Sequence, residues 1–233
     1  MPEQGSSLRP IAKLARSRAP EVALQICAAD PPEPLDARLV LLVEPRSARA
    51  DAFRLARHRL ERRQDPRLIA VTSASAGDGK TTLAVNLALA IAEEHGPSVL
   101  LLDAHRARPA LADLLGLSKQ HDVLGEGASR GYPLGRVSGT ELCAGLSLGE
   151  PGHITQTERD ALRRALTELR LAFDYVIVDT APVGEGLDVH WLGELVDGVL
   201  FAVRRGVTDR RSLSRAISGL MPVPLAGGVL LDF

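Results

Sequence analysis

Ala74-Ser75-Ala76-Gly77-Asp78-Gly79-Lys80-Thr81 brings two glycines, a lysine and a hydroxyl into one short stretch. It follows the pattern G-x-x-x-x-G-K-[ST], with Ala74 in place of the first glycine. The chemistry such a stretch can do is to hold phosphate. Gly77 and Gly79 admit positive φ and close approach, so consecutive backbone N–H groups can point at phosphate oxygens. A helix beginning near Thr81 adds its positive dipole end. Lys80 would reach the β- and γ-phosphates, and the Thr81 hydroxyl would bind Mg²⁺. Ala76, Gly77, Asp78, Gly79, Lys80, Thr81 and Thr82 are therefore the expected nucleotide-binding set. The chain's only lysines are Lys13, Lys80 and Lys119, which sets Lys80 apart.

Two acids extend this reading. Asp103 ends the apolar run Val99–Leu102, and Asp179 ends Tyr175–Val178. Mg²⁺ prefers oxygen ligands and keeps several waters, and a carboxylate at a neighbouring strand end can hold those waters or orient a nucleophile. Asp179 is the expected Mg²⁺ carboxylate. Asp103 is expected near Mg²⁺ or as a base. A single strand-end Asp also serves as a helix cap or loop anchor. The nucleotide is expected to be ATP, because an Asn-Lys-x-Asp guanine box is absent and no lysine follows Lys119.

The elements that must position these residues show in the rhythm of the chain. Leu68–Thr72, Val99–Leu102, Tyr175–Val178, Val199–Val203 and Gly228–Leu231 are short continuous apolar runs, as a sheet buried on both faces requires. Thr81–Glu94, Thr157–Ala172 and Asp209–Gly219 read as helices between them. Thr155 and Glu158 have capping-box spacing at the start of the second. The alternation predicts an α/β fold with a doubly wound, mainly parallel sheet. Ligands in such sheets bind at the carboxyl ends of strands, where Thr72, Asp103 and Asp179 fall. Residues 1–36 mix Pro, Ala, Gly, Ser and charges and read as a mobile tail, which leaves residues 37–233 as the folded domain. Leu39–Val43 reads as a short docking strand. Residues 48–63 read as a helix with one apolar face.

Bulk properties narrow the function class. The 233 residues are 45% apolar with a formal net charge of −1, so no global field favours nucleic acid. Cys27 and Cys143 have no metal-ligand spacing and read as free thiols of a reducing compartment. No apolar run reaches the ~18–20 residues of a membrane span, and the N-terminus lacks a signal core, so the expected location is cytoplasmic.

Taken together, these motifs resemble the bacterial tyrosine kinases of capsule and exopolysaccharide synthesis, within the MinD/ParA P-loop superfamily. Ser73–Thr82 resembles that family's Walker A, Leu100–Pro109 its second acidic motif, Phe173–Pro182 its Walker B, and Asp197–Arg204 the strand that follows. The resemblance runs from about Leu39 to the C-terminus. It implies a kinase-like P-loop ATPase using ATP and Mg²⁺, with Lys80, Asp103 and Asp179 as catalytic residues and Thr81, Asp103 and Asp179 around the metal. Its implied partners are a protein-tyrosine substrate, further copies of the chain, and a membrane-embedded polysaccharide co-polymerase as activator. Association with the membrane would run through that partner. Asp51-x-x-Arg54-x-x-Arg57 is similar to the family's E-x-x-R-x-x-R oligomerisation motif, with Asp for Glu. Taken alone, those three charges would read as a solvated face.

The chain departs from the family at two places. Its second acidic motif has His105 where the family has a second Asp, and Ala107 where it has Arg. Imidazole is a poor Mg²⁺ ligand beside carboxylate. The family's tyrosine cluster has no counterpart, since the only tyrosines are Tyr132, in a Gly-Tyr-Pro loop, and Tyr175, expected to be buried in its strand. Self-phosphorylation of a tail is thus not expected. The expected function is a tyrosine-kinase-like protein regulating polysaccharide synthesis or export. The alternative is an ATP-dependent oligomerisation switch with weak transfer. A partitioning or positioning ATPase is argued against by Ser75, which stands where those proteins carry a signature lysine.

Overall fold

The computed structural model describes residues 22–62, 67–94, 98–105, 108–125, 128, 130–147, 155–183, 185, 188–220 and 222–232. Its centre is a parallel sheet made by the apolar runs: β2 (Leu68–Ser73), β3 (Val99–Asp103), β6 (Tyr175–Asp179), β7 (Gly198–Arg204) and β8 (Leu225–Leu231). With β1 (Leu24–Ala29), β4 (Tyr132–Val137) and β5 (Leu142–Leu146), the sheet among the described residues has eight strands in the order β1-β4-β5-β3-β6-β2-β7-β8. β5 runs parallel to β3, while β4 is antiparallel to β5 and carries β1 parallel to itself. The doubly wound, mainly parallel sheet expected from the sequence is present.

Strand side chains alternate between faces, so each continuous apolar run feeds two cores. Ile69, Val71, Leu101 and Ile177 pack with α1 (Val40–Val43), α2 (Ala48–Glu61), α3 (Lys80–Ala92) and α4 (Leu111–Leu115). Leu68, Ala70, Leu100 and Val176 pack on the other face with α5 (Gln156–Ala172), α6 (Asp188–Leu192) and α7 (Arg210–Leu220). Every residue of α3 is buried, because α2 covers the side turned away from the sheet. This explains a helix apolar all round. The capping box of α5 forms: Thr155 Oγ1 accepts from Glu158 N at 3.3 Å, and Glu158 Oε2 accepts from Thr155 N at 2.8 Å.

Four readings need correction. Leu39–Val43 is not a strand, since Val40–Val43 is one helical turn lying on α3. A four-residue apolar run fits either element. The side chain of Asn86 decides it, donating to Arg38 O at 2.7 Å and accepting from Leu41 N at 3.1 Å. The tail assigned to residues 1–36 is too long. Leu24–Ala29 is the edge strand β1, in register with Tyr132–Val137. Residues 1–21 lie outside the described residues. Tyr132 is not in a loop but opens β4, and its hydroxyl donates to Glu168 Oε2 at 2.7 Å. Tyr175 is half-buried instead of buried. Arg63, the last residue of the expected helix over 48–63, is outside the described residues, and α2 ends at Glu61.

Candidate nucleotide site

The loop between β2 and α3 takes its shape from its two glycines. Gly77 and Gly79 hold φ of 84° and 92°, where an L side chain is strained. Among the described residues nothing lies within 4 Å of the position a Cβ would take on Gly77, so they leave the loop open there. Lys80 and Thr81 form the first turn of α3, each 8% exposed. Ala76 and Gly77 are exposed at the rim, and Thr82 is buried beneath it. Asp78 differs from its neighbours. Its backbone belongs to the loop, but its buried carboxylate turns away, accepting from Ser75 N at 2.9 Å and Thr208 Oγ1 at 2.7 Å.

The sheet supplies the acids. β3 and β6 are adjacent, and Asp103 and Asp179 are register partners at their carboxyl ends. Thr81 Oγ1 donates to Asp179 Oδ2 at 2.6 Å. Asp179 is fully buried, and its Oδ1 has no hydrogen-bond partner among the described residues. A bare carboxylate oxygen in such a place is costly unless a ligand completes it. Burial raises the Asp179 carboxyl well above the ordinary range, the charge of Asp103 adds to this, and the Thr81 hydroxyl and Lys80 pull the other way. Asp103 is raised too, mainly by burial. Both of its oxygens carry backbone donors, His105 N at 2.9 Å on Oδ1 and Leu111 N at 2.9 Å on Oδ2. Asp103 thus folds the segment after β3 around itself while facing Asp179.

His105 is buried, and its pKa falls to about 4 because of burial first, then the charges of Lys80 and Arg108. It stands neutral near the lysine at physiological pH. Ala107, the other departure in that motif, lies outside the described residues.

Lys80, Thr81, Asp103 and Asp179 are thus brought together. Asp51, Arg54 and Arg57 are not. They sit on α2 against the far end of α3, about 20 Å from Lys80 at 1.5 Å per residue. Arg54 forks onto Glu93 at 2.8 and 2.7 Å and reaches Asp51 at 2.8 Å, and Arg57 pairs with Glu94 at 2.7 Å. Sequence reasoning also missed a neighbour of the phosphate loop, the segment after β7. Arg204 Nη1 donates to Gly77 O at 3.3 Å, and Thr208 holds Asp78. Nothing in the spacing of Thr208 signals this, because the contact spans 130 residues.

Residues 69–221 match the family described as "CobQ/CobB/MinD/ParA nucleotide binding domain". The chain belongs to this family. The CobQ/CobB/MinD/ParA assignment covers the phosphate loop and both strand-end acids. Among curated relatives, the chain is 28% identical over 225 residues to the succinoglycan biosynthesis transport protein ExoP of Rhizobium meliloti, covering 91% of this chain but 28% of that protein. It is 28% identical over 193 residues to the tyrosine-protein kinase YwqD of Bacillus subtilis, covering 78% of this chain and 79% of that one. In fold it is similar to the kinase domain of the Escherichia coli tyrosine kinase ETK, with a TM-score of 0.70, 22% identity, and 83% of this chain and 79% of that chain covered. The resemblance to bacterial tyrosine kinases is therefore present in sequence and in fold. The loop from Ala74 to Thr81 lies within the matched residues. No described helix is long and apolar enough to cross a membrane.

Proposed function

We propose that this chain is a cytoplasmic, ATP- and Mg²⁺-dependent protein-tyrosine kinase of exopolysaccharide or capsule assembly. The observation that carries the reading is the buried Thr81–Asp179 pair with its bare Asp179 Oδ1, set beside Lys80 under the open face of the glycine loop. Hard oxygen donors of this kind fit Mg²⁺. Thr81 and Asp179 would hold it, with Asp103 beside them, and once bound it would neutralise phosphate charge. The loop amides from Ala76 to Thr82 bind and orient the polyphosphate. Lys80 meets the charge that develops on the transferring γ-phosphoryl group. Asp103, raised by burial, would take the proton of the acceptor hydroxyl as its oxygen attacks phosphorus and the bond to the β-phosphate oxygen breaks.

The acceptor class is a tyrosine of another protein. Tyr132 is tied to Glu168, and burial and that carboxylate raise its phenol above the ordinary value, so it is a poor self-acceptor. The activator is proposed to be a membrane-embedded co-polymerase. Assembly of copies through α2 would draw on Asp51, which pairs with Arg54 but stays the most exposed of the three, because Arg54 and Arg57 are held by Glu93 and Glu94 of their own chain.

A second reading, an ATP-driven switch with little transfer, draws support from His105, neutral where the kinase motif has a carboxylate. The test is to incubate the protein with γ-labelled ATP, Mg²⁺ and a tyrosine-bearing acceptor. Phosphotyrosine that vanishes in Lys80→Ala supports the kinase. ADP formed without phosphotyrosine supports the switch and rejects the kinase.

A further inference from the structure

Asp78 is the one acid in the phosphate loop. It is 1% exposed, and a buried negative charge beside a phosphate nest opposes the ligand unless it is held elsewhere. The segment joining β7 to α7 does the holding. Arg204 N–H donates to Thr208 Oγ1 at 2.7 Å. A backbone amide can only donate, so the Thr208 oxygen accepts there and its single hydrogen is left for Asp78 Oδ1, at 2.7 Å. Asp78 Oδ2 takes Ser75 N–H at 2.9 Å, which closes the loop on itself. The Arg204 guanidinium donates to Gly77 O at 3.3 Å and so ties that carbonyl to the β7 side. The anchoring segment is itself fixed. Gly206 supplies the turn with φ of 71°, and Asp209 caps α7 through Arg211 N at 3.1 Å and Ser212 N at 2.8 Å.

We propose that Thr208 is a positioning residue for nucleotide binding: its hydroxyl latches the Asp78 carboxylate and holds the phosphate loop in its receiving shape before ATP arrives. The inference rests on the reading that this loop binds ATP. The benefit of a preformed loop is that its ordering cost does not fall on the binding step. Thr208 touches no phosphate in this account. It acts through Asp78 alone.

The experiment compares wild type, Thr208→Val and Thr208→Ser in two measurements. The first is amide hydrogen exchange of residues 75–79 in the nucleotide-free protein, which reads the latch without any ligand. The second is the steady-state dependence on ATP. Thr208→Val keeps the side-chain shape and loses the hydroxyl. It should exchange at least tenfold faster across the loop and raise KM for ATP about tenfold while kcat stays within about twofold, the pattern of lost ground-state binding. Thr208→Ser should restore both. Wild-type exchange and KM in Thr208→Val would overturn the proposal, as would a loss that Thr208→Ser does not rescue. If Thr208→Val does not fold, Thr208→Ala takes its place with the same expected results. If the wild type binds no ATP while the exchange difference stands, the ATP reading fails and the latch survives.

Discussion

Replacing Asp179 with Asn should stabilise the nucleotide-free protein while destroying its use of Mg²⁺. The carboxylate is fully buried, one oxygen accepts from Thr81 at 2.6 Å, and the other has no partner among the described residues. Asparagine keeps the shape and an acceptor for Thr81, and removes both the charge and the bare anionic oxygen. Leaving a buried polar group unsatisfied costs about 1–3 kcal/mol, so the variant should gain about that much, less the cost of placing the new amide NH₂. In a chain of this length each kcal/mol moves Tm by about 2–4 °C. The pH dependence has a definite sign. Burial, and then Asp103, raise the folded Asp179 carboxyl above its unfolded value. As pH climbs from the ordinary carboxylate range toward that raised value, the unfolded chain releases a proton the folded protein keeps, and wild-type stability falls. The Asn variant lacks this slope. Calorimetric melting should therefore show its advantage largest at and above neutral pH and fading in acid. Adding ATP should raise Tm of both proteins, and adding Mg²⁺ to ATP should raise it further in the wild type only. An equal or lower Tm for the variant at neutral pH, or an advantage that grows in acid, would refute the argument.

Arg54→Ala combined with Arg57→Ala removes the clamp of α2 on the end of α3 and should cost about 1–3 kcal/mol, the range for partly exposed charged hydrogen bonds. Thermal melting with light scattering checks this: a lower Tm at unchanged mass supports the intrachain clamp, and a smaller assembly at unchanged Tm supports a protomer contact instead. His105→Asp should speed single-turnover phosphoryl transfer with little change in ATP affinity, whereas His105→Ala should leave both unchanged; no gain in His105→Asp would place the limiting step elsewhere. Thr155→Ala breaks the capping box of α5 and should lower stability by about 0.5–2 kcal/mol without touching ATP affinity, read by urea unfolding and nucleotide titration.

The parts of the fold that could be read from sequence are those whose signal is local. Val99–Leu102 and Tyr175–Val178 are apolar without alternation because both faces are covered, and the capping box at Thr155 and Glu158 is written within one turn. The phosphate loop and its two acids were legible for the same reason: each is a strand end with its own composition. The far edge of the sheet was not. β1 lies next to a Pro-rich stretch, and β4 contains Pro133 and Gly135, both breakers of a strand pattern. Their pairing joins segments about a hundred residues apart. Asn86 is a polar residue within the apolar stretch Leu83–Ala92, and its bond to Leu41 N spans 45 residues, so nothing local signals it. Arg54 and Arg57 have the spacing of an interface motif, and spacing cannot tell whether the facing carboxylates belong to another copy or, as here, to Glu93 and Glu94.

The most direct test of the nucleotide site is titration calorimetry of ATP into wild type and Lys80→Ala, with and without Mg²⁺. The wild type should bind ATP, more tightly with Mg²⁺. Lys80→Ala should bind at least tenfold more weakly, because it loses a buried cation beside the loop, a difference of about 1.4 kcal/mol or more. Equal affinity of the two proteins for ATP, or binding indifferent to Mg²⁺, would contradict the account.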